Sequence, residues 1–143
     1  MIWNLGIGLL MISLTVIIHT AGLMGVTHVT ARMIRHLHLH GQRRRMIAMI
    51  TVVLGIFAVL TFEIWLWAAC YEILRVVPDF STALYFSTTT FATVGYGDVV
   101  PEQSWRLLAA LEGINGFLLI GWSTAYLVAA GVRVGPFKSG EHF

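Results

Sequence analysis

Charge is what this sequence has least of. Nine basic and seven acidic residues make it 11% charged, against about 25% in a soluble domain, while 57% of its 143 residues are hydrophobic. A soluble monomer is excluded. Cysteine is almost absent: the lone Cys70 cannot form an intrachain disulfide and reads as a small apolar packing residue. Groupings that support covalent or metal chemistry are missing too. No Cys, His and carboxylate set has ligand spacing, no serine sits in a nucleophile elbow, and Gly95-x-Gly97 lacks the strand-to-helix setting of a phosphate loop. The chain is not expected to be an enzyme or to need a cofactor.

What the sequence does have is three long uncharged stretches. No charge lies between Met1 and Ala31, only Glu63 between Met46 and Tyr71, and only Glu112 between Leu107 and Val132. A helix rising 1.5 Å per residue crosses a ~30 Å hydrocarbon layer in about 20 residues, and each stretch exceeds that. All three read as transmembrane helices. The first lacks a basic leader and a small-residue cleavage site, so it is expected to be a retained span, not a secretory signal. The predicted organisation is a first span over 1–31, a basic loop over 32–45, a unit over 46–132 and a short tail over 133–143. Within that unit, spans over 46–72 and 104–132 flank a segment over 79–98.

Basic loops stay in the cytoplasm, and five of the nine Lys and Arg residues (Arg32, Arg35, Arg43, Arg44, Arg45) fall between the first two spans. The N-terminus is then expected outside and the C-terminus, with Arg133 and Lys138, in the cytoplasm. The location is a plasma membrane or a cell inner membrane, with lipid as the surrounding partner. A loop beside the membrane explains the basic cluster more simply than nucleic acid does. Trp3, Trp65, Trp67 and Trp105 would form an outer interfacial belt, and Trp122 would lie toward the inner side.

Between the second and third spans runs Pro78 to Pro101, too short and polar for another crossing. Asp79 or Ser81 is a plausible N-cap for a helix of about ten to twelve residues ending near Ala92, a cap position that favours Asp and Ser. Thr93 to Gly97 should then be extended. Irregular backbone survives at membrane depth only when it is buried in protein or lines water, which a re-entrant loop facing an aqueous pore does. Thr93-Val94-Gly95-Tyr96-Gly97-Asp98 resembles the selectivity filter of potassium channels, and the segment before it resembles their pore helix. The register holds from Ala83 to Pro101 and, more loosely, over 46–132.

A cation that gives up its water needs replacement oxygens from several sides, and four copies of one segment can supply them as stacked carbonyl rings. Gly95 and Gly97 can take positive φ without steric cost, which lets successive carbonyls face one axis. The resemblance implies K+ ligands at Thr93, Val94, Gly95 and Tyr96, with Gly97 completing the filter and the Thr93 hydroxyl closing its inner end. Tyr96 and Val94 would pack against the pore helix. One chain holds one such segment, so the expected fold is an all-α integral membrane protein forming a homotetrameric pore. Each chain would supply three transmembrane helices, a re-entrant pore helix and an extended filter. The expected function is passive, potassium-selective conduction. A weakly selective cation channel and a non-conducting regulatory subunit are the alternatives. The first span carries no arginine ladder, so no voltage sensor is expected, and the eleven-residue tail is too short for a ligand-binding module.

Several residues depart from the family pattern or stand outside it. Tyr85 and Phe86 occupy positions where some relatives carry two tryptophans, and Thr89 stands in place of a glutamate, so Asp98 needs another partner, of Tyr or Trp type. Glu63 and Glu112 are expected near the filter's level, bonded to pore-helix hydroxyls such as Ser87, Thr88 or Thr90, with proton-sensitive gating as the alternative. With Asp98, Tyr85 and Phe86 they form the predicted filter support. In the third span, which contains no proline, Gly116 is the hinge candidate, close helix packing being the alternative. Gly6, Gly8, Gly22 and Gly25 are expected to mark packing of the first span. His36, His38 and His40 would share a face only if extended, and read as a solvated basic loop. His19 and His28 read as hydrogen-bonded packing residues.

Overall fold

The computed structural model describes residues 2–36 and 41–135. Four helices account for most of them: α1 (Ile2–His36), α2 (Gly41–Ile73), α3 (Phe80–Phe91) and α4 (Arg106–Val134). Helices α1, α2 and α4 are each long and apolar enough to cross a membrane, and α3, of 12 residues, is not. α1 packs on α2 and α4, whereas α3 is wedged between α2 and α4 without meeting α1.

Both α1 and α2 run further than composition suggests. The stretch expected as a loop over 32–45 is helical up to His36 and again from Gly41. Arg, Met and Ile are adequate to strong helix formers, and no proline or glycine interrupts Arg32 to His36, so nothing stops the helix where hydropathy falls. The basic side chains therefore stand on helix ends. His38 and His40 lie outside the described residues, as does Lys138.

α2 ends by a Schellman motif. Arg75 adopts φ +54°, its N–H donates to Glu72 O, and the Val76 N–H donates to Tyr71 O. Val76 and Tyr71 belong to one buried cluster, which supplies the apolar contact that accompanies this cap. The chain then turns through Pro78 into α3. Asp79 caps it, accepting from the Thr82 N–H at 3.0 Å and from the Thr82 hydroxyl at 2.7 Å. The Thr82 backbone N–H, foremost, holds the Asp79 carboxyl below the usual carboxylate range.

The main core lies where α2, α3 and α4 meet. Trp67, Tyr71, Ala83, Phe91 and Leu108 are almost fully buried there, and Tyr71 meets Phe86 edge to face at 5.2 Å. Trp67 thus belongs to the interior and not to an interfacial belt, while Trp3 and Trp65 are exposed. Trp122 stands just past the middle of α4, its ring 5.3 Å from that of His19. A smaller apolar cluster of Leu23, Val26, Val52 and Ile56 joins α1 to α2 toward their basic ends.

The buried residues of α1 are Asn4, Gly8, Met11, Thr15, His19, Leu23, Val26 and Thr30, a spacing of three or four that defines one face. Gly8 and Gly22 bring that face close to Leu111 and Val59, and Gly55 of α2 does the same for Val26. Gly6 and Gly25 face open space and pack on nothing among the described residues.

Candidate functional site

Everything at this site is hung from the C-terminal end of α3. Ala92 caps the helix, and the Thr93 N–H donates to Thr90 O while the Val94 N–H donates to Thr89 O. That is a second Schellman motif, and its left-handed position is Thr93, at φ +58°. A β-branched residue with positive φ is a genuine outlier, costing about 1–2 kcal/mol for the left-handed conformation. The sequence gives no hint of it.

Two glycines continue the pattern. Gly95 has φ +53° and Gly97 φ +79°, while Val94 and Tyr96 between them keep negative φ. Residues 93, 95 and 97 are left-handed in alternation. In a regular strand successive residues point to opposite sides, but alternating handedness lets consecutive carbonyls share an edge. The Gly95 N–H still reaches back to Thr89 O at 3.1 Å, which ties the segment's first half to the helix.

The far end of the segment is held by a side chain. The Tyr85 hydroxyl donates to Asp98 Oδ2 at 2.7 Å, and Asp98 Oδ1 accepts from the Val99 N–H. The Tyr85 bond, foremost, holds the Asp98 carboxyl below the usual carboxylate range. Phe86, the next residue, is buried on Tyr71. Tyr85 and Phe86 therefore do different things: one ties the segment's exit and the other anchors the helix.

Glu112 anchors the same helix from α4. Its carboxylate accepts from the Tyr71 hydroxyl of α2 and the Ser87 hydroxyl of α3, and Ser87 also reaches Ile64 O at 3.0 Å. Three helices meet at one carboxylate. Glu63 does not join them. Its expected pore-helix partners are replaced by His19 of α1, whose Nδ1 lies 3.0 Å from Glu63 Oε1, both side chains being fully buried. The reason is the face of α2 on which Glu63 stands, which turns toward α1. Thr88 bonds its own helix, at Leu84 O.

Around His19, other polar groups join α1 to α4. The Asn115 amide donates to Thr15 Oγ1 at 2.9 Å, the Ser123 hydroxyl lies 3.4 Å from His19 Nε2, and Thr27 meets the Tyr126 hydroxyl at 2.7 Å. Inside a bilayer such groups hold helices together. His28, by contrast, bonds within its own helix, at Met24 O.

Gly116 sits against the last turn of α3. A Cβ there would fall on the Phe91 carbonyl oxygen, 2.7 Å from its carbon and 2.8 Å from its Cα. Close packing is therefore a property of this position in the structure.

Residues 92–98 are exposed throughout, Val94 at 52% and Tyr96 at 74%. The expected packing of these two side chains on the pore helix is not made within one chain. Their outward faces leave them available to another surface. Among the described residues no three His, Cys, Asp or Glu side chains gather as a metal site.

Comparison with known proteins bears on this region. A family model described as "Ion channel" matches residues 59–133, from the second half of α2 through the segment to the end of α4. The mouse protein named potassium channel subfamily K member 1 is 31% identical over 116 residues, covering 77% of this chain and 34% of its own. The calcium-gated potassium channel TvoK of Thermoplasma volcanium is 41% identical over 54 residues, 37% of this chain and 16% of its own. The voltage-gated potassium channel Kch of Escherichia coli is 34% identical over 88 residues, 56% and 21% respectively. The chain thus spans about a third or less of these relatives' lengths. No solved structure matches.

Proposed function

The chain belongs to the ion channel family, and from that premise we propose that it conducts K+ passively across a membrane through a filter built from residues 93–97. It is a multi-pass membrane protein, and three of its helices are long enough to span. The observation that carries the proposal is the left-handed alternation at Thr93, Gly95 and Gly97.

The mechanism is a substitution of ligands. The carbonyls of Thr93, Val94, Gly95 and Tyr96, with the Thr93 hydroxyl at the inner end, replace the water that the ion sheds on entry. One chain offers only one edge of oxygens. Four chains around an axis close the rings, and the same closure covers Val94, Tyr96 and the unpaired backbone that a lone chain would leave bare at membrane depth. The homotetramer is therefore part of the proposal. The C-terminal end of α3 adds the negative end of a helix dipole beneath the filter, which favours a cation.

Support comes from three ties. Glu112 fixes α3 to α2 and α4, Phe86 seats it in the core, and Asp98 with Tyr85 holds the filter's exit. Glu63 acts one layer away, binding α1 to the pore unit. The basic helix ends support a cytoplasmic α1–α2 connection in this reading, with both the N-terminus and the filter's mouth outside. The names of the relatives are consistent with K+ as the permeant ion.

The test is flux from liposomes containing the purified chain, with K+ or Na+ as the only permeant cation. Potassium should move and sodium should not. Gly95→Ala puts a side chain at φ +53° and should abolish the difference. Tetrameric protein that passes neither ion would favour the regulatory-subunit reading, and equal flux of both would favour a weakly selective pore.

A further inference from the structure

Helix α1 takes no part in the filter, yet polar groups tie it to α4 at four levels. Near the start of both helices the Asn4 amide donates to Ser104 O, just before α4 begins. The Asn115 bond to Thr15 lies in the first half of α4, and the contacts of Ser123 with His19 and of Tyr126 with Thr27 lie in its second half. The last of these, at 2.7 Å, is also the furthest from the filter. Beyond it the two helices part around a cavity of about 440 Å³, walled by Thr30 and Ile34 on α1 and by Ala130 and Arg133 on α4.

Between the Asn115 tie and the Ser123 and Tyr126 ties, α4 has a weak point. Gly121 has nothing among the described residues within 4 Å of where a Cβ would stand, so close packing does not require it as it does Gly116. Glycine is a poor helix former. Three residues on, the Thr124 hydroxyl donates to Ile120 O at 2.9 Å, a back-bond of the kind that often bends helices. Phe117, Gly121, Thr124 and Val128, spaced four, three and four, make one exposed face of α4, and the residues tied to α1 stand on the other side. A bend that closes on the glycine's side therefore carries the second half of α4 away from α1. From Gly121 to Val134 that lever is about 20 Å long.

We propose that α1 is a tether that holds the second half of α4 straight and off the pore axis, with the Thr27–Tyr126 bond as its decisive hold. The proposal rests on the reading of this chain as a tetrameric channel, in which the exposed face of α4 turns toward the shared axis. α1 lies on the far side of α4 from that axis, since it packs on α2 and α4 and does not meet α3, from which the filter hangs. Released from α1, the second half of α4 bends at Gly121 toward the axis and narrows the ion's path below the filter. α1 lies outside the matched family region, so the tether is an addition to the pore unit and not a part of it.

The test is single-channel recording of the full chain in planar bilayers, paired with hydrogen exchange of the same protein in detergent. Tyr126→Phe removes one hydroxyl and should lower the ratio of open to closed time about threefold, the weight of one interhelical hydrogen bond in a membrane, with K+ over Na+ selectivity kept. Thr27→Val should act in the same direction, and the double variant should add little to Tyr126→Phe. Gly121→Ala stiffens the bending point, so it should raise the ratio and abolish the effect of Tyr126→Phe, which a merely structural bond would not show. Thr20→Val, whose hydroxyl bonds Val16 O in its own helix, is the control and should change nothing. In hydrogen exchange Tyr126→Phe should speed the amides of residues 122–134 and leave those of 106–115 as they were. A ratio unchanged or raised in both Tyr126→Phe and Thr27→Val would overturn the tether. A protein that passes no cation would refute the channel reading instead, and exchange would then decide the hold of α1 on α4 by itself: no change over residues 122–134 in Tyr126→Phe would overturn that hold as well.

Discussion

Alanine at Gly116 should damage this protein although alanine is the better helix former. In an open helical position the exchange gains about 1 kcal/mol. At Gly116 the new methyl group meets the backbone of Phe91, with the carbonyl carbon at 2.7 Å and Cα at 2.8 Å, and no side-chain rotamer can relieve it. Overpacking costs about 1–3 kcal/mol where neighbours adjust, and a rigid helix end adjusts least. Taking the upper end against the propensity gain leaves a net loss of about 2 kcal/mol. Gly121, five residues further along α4, faces open space, so Gly121→Ala should gain about 1 kcal/mol. The two alanines should differ by about 3 kcal/mol in denaturant unfolding of the purified protein. Because Phe91 is the last residue of α3 and the filter starts two residues later, Gly116→Ala should also impair ion selectivity. Equal stability of the two variants would refute the packing explanation. Altered gating at unchanged stability would point to the hinge instead.

Three further outcomes follow from the side-chain ties. Glu112→Ala strands the buried Tyr71 hydroxyl, at about 1–3 kcal/mol, and leaves the Ser87 hydroxyl only Ile64 O, so it should lower the thermal midpoint more than Glu112→Gln, which keeps an acceptor. His19→Ala leaves Glu63 Oε1 without its partner, and should loosen α1 in hydrogen exchange while K+ selectivity in liposomes is kept. Tyr85→Phe concerns pH. Asp98 has a lowered pKa in the folded protein, so its contribution is present above its unfolded value and is lost as pH falls through the folded one. Without the tyrosine hydroxyl the carboxyl should protonate at higher pH, and the acid midpoint of K+ current, measured with external pH varied, should move upward.

How much of this could be read before any coordinates depends on the range of the interaction. The three long helices and the Asp79 cap are local signals, set by hydropathy over about 20 residues and by one side chain beside its own helix. The glycines at 95 and 97 are equally legible, since φ above zero selects them. Thr93 is not, because its conformation is imposed by the way α3 terminates and not by its own preference. Glu63 was equally hard to place. Its partner is 44 residues away on a helix whose position no local signal fixes. A signal did exist: Asn4, Thr15 and His19 share one face of α1 with Gly8, while Glu112, Asn115, Gly116 and Ser123 share one face of α4. Polar and small residues gathered on single faces of apolar helices mark contacts between them. Helix ends were the least legible, since the arginines that end the hydropathic run are themselves good helix formers.

The most direct measurement is the reversal potential of single reconstituted channels with K+ on one side and Na+ on the other at equal concentration. A filter of main-chain oxygens from residues 93–97 requires that potential to lie far toward the K+ equilibrium value, and to collapse toward zero in Gly95→Ala. A value near zero in the unaltered protein, with the assembly intact, would contradict it.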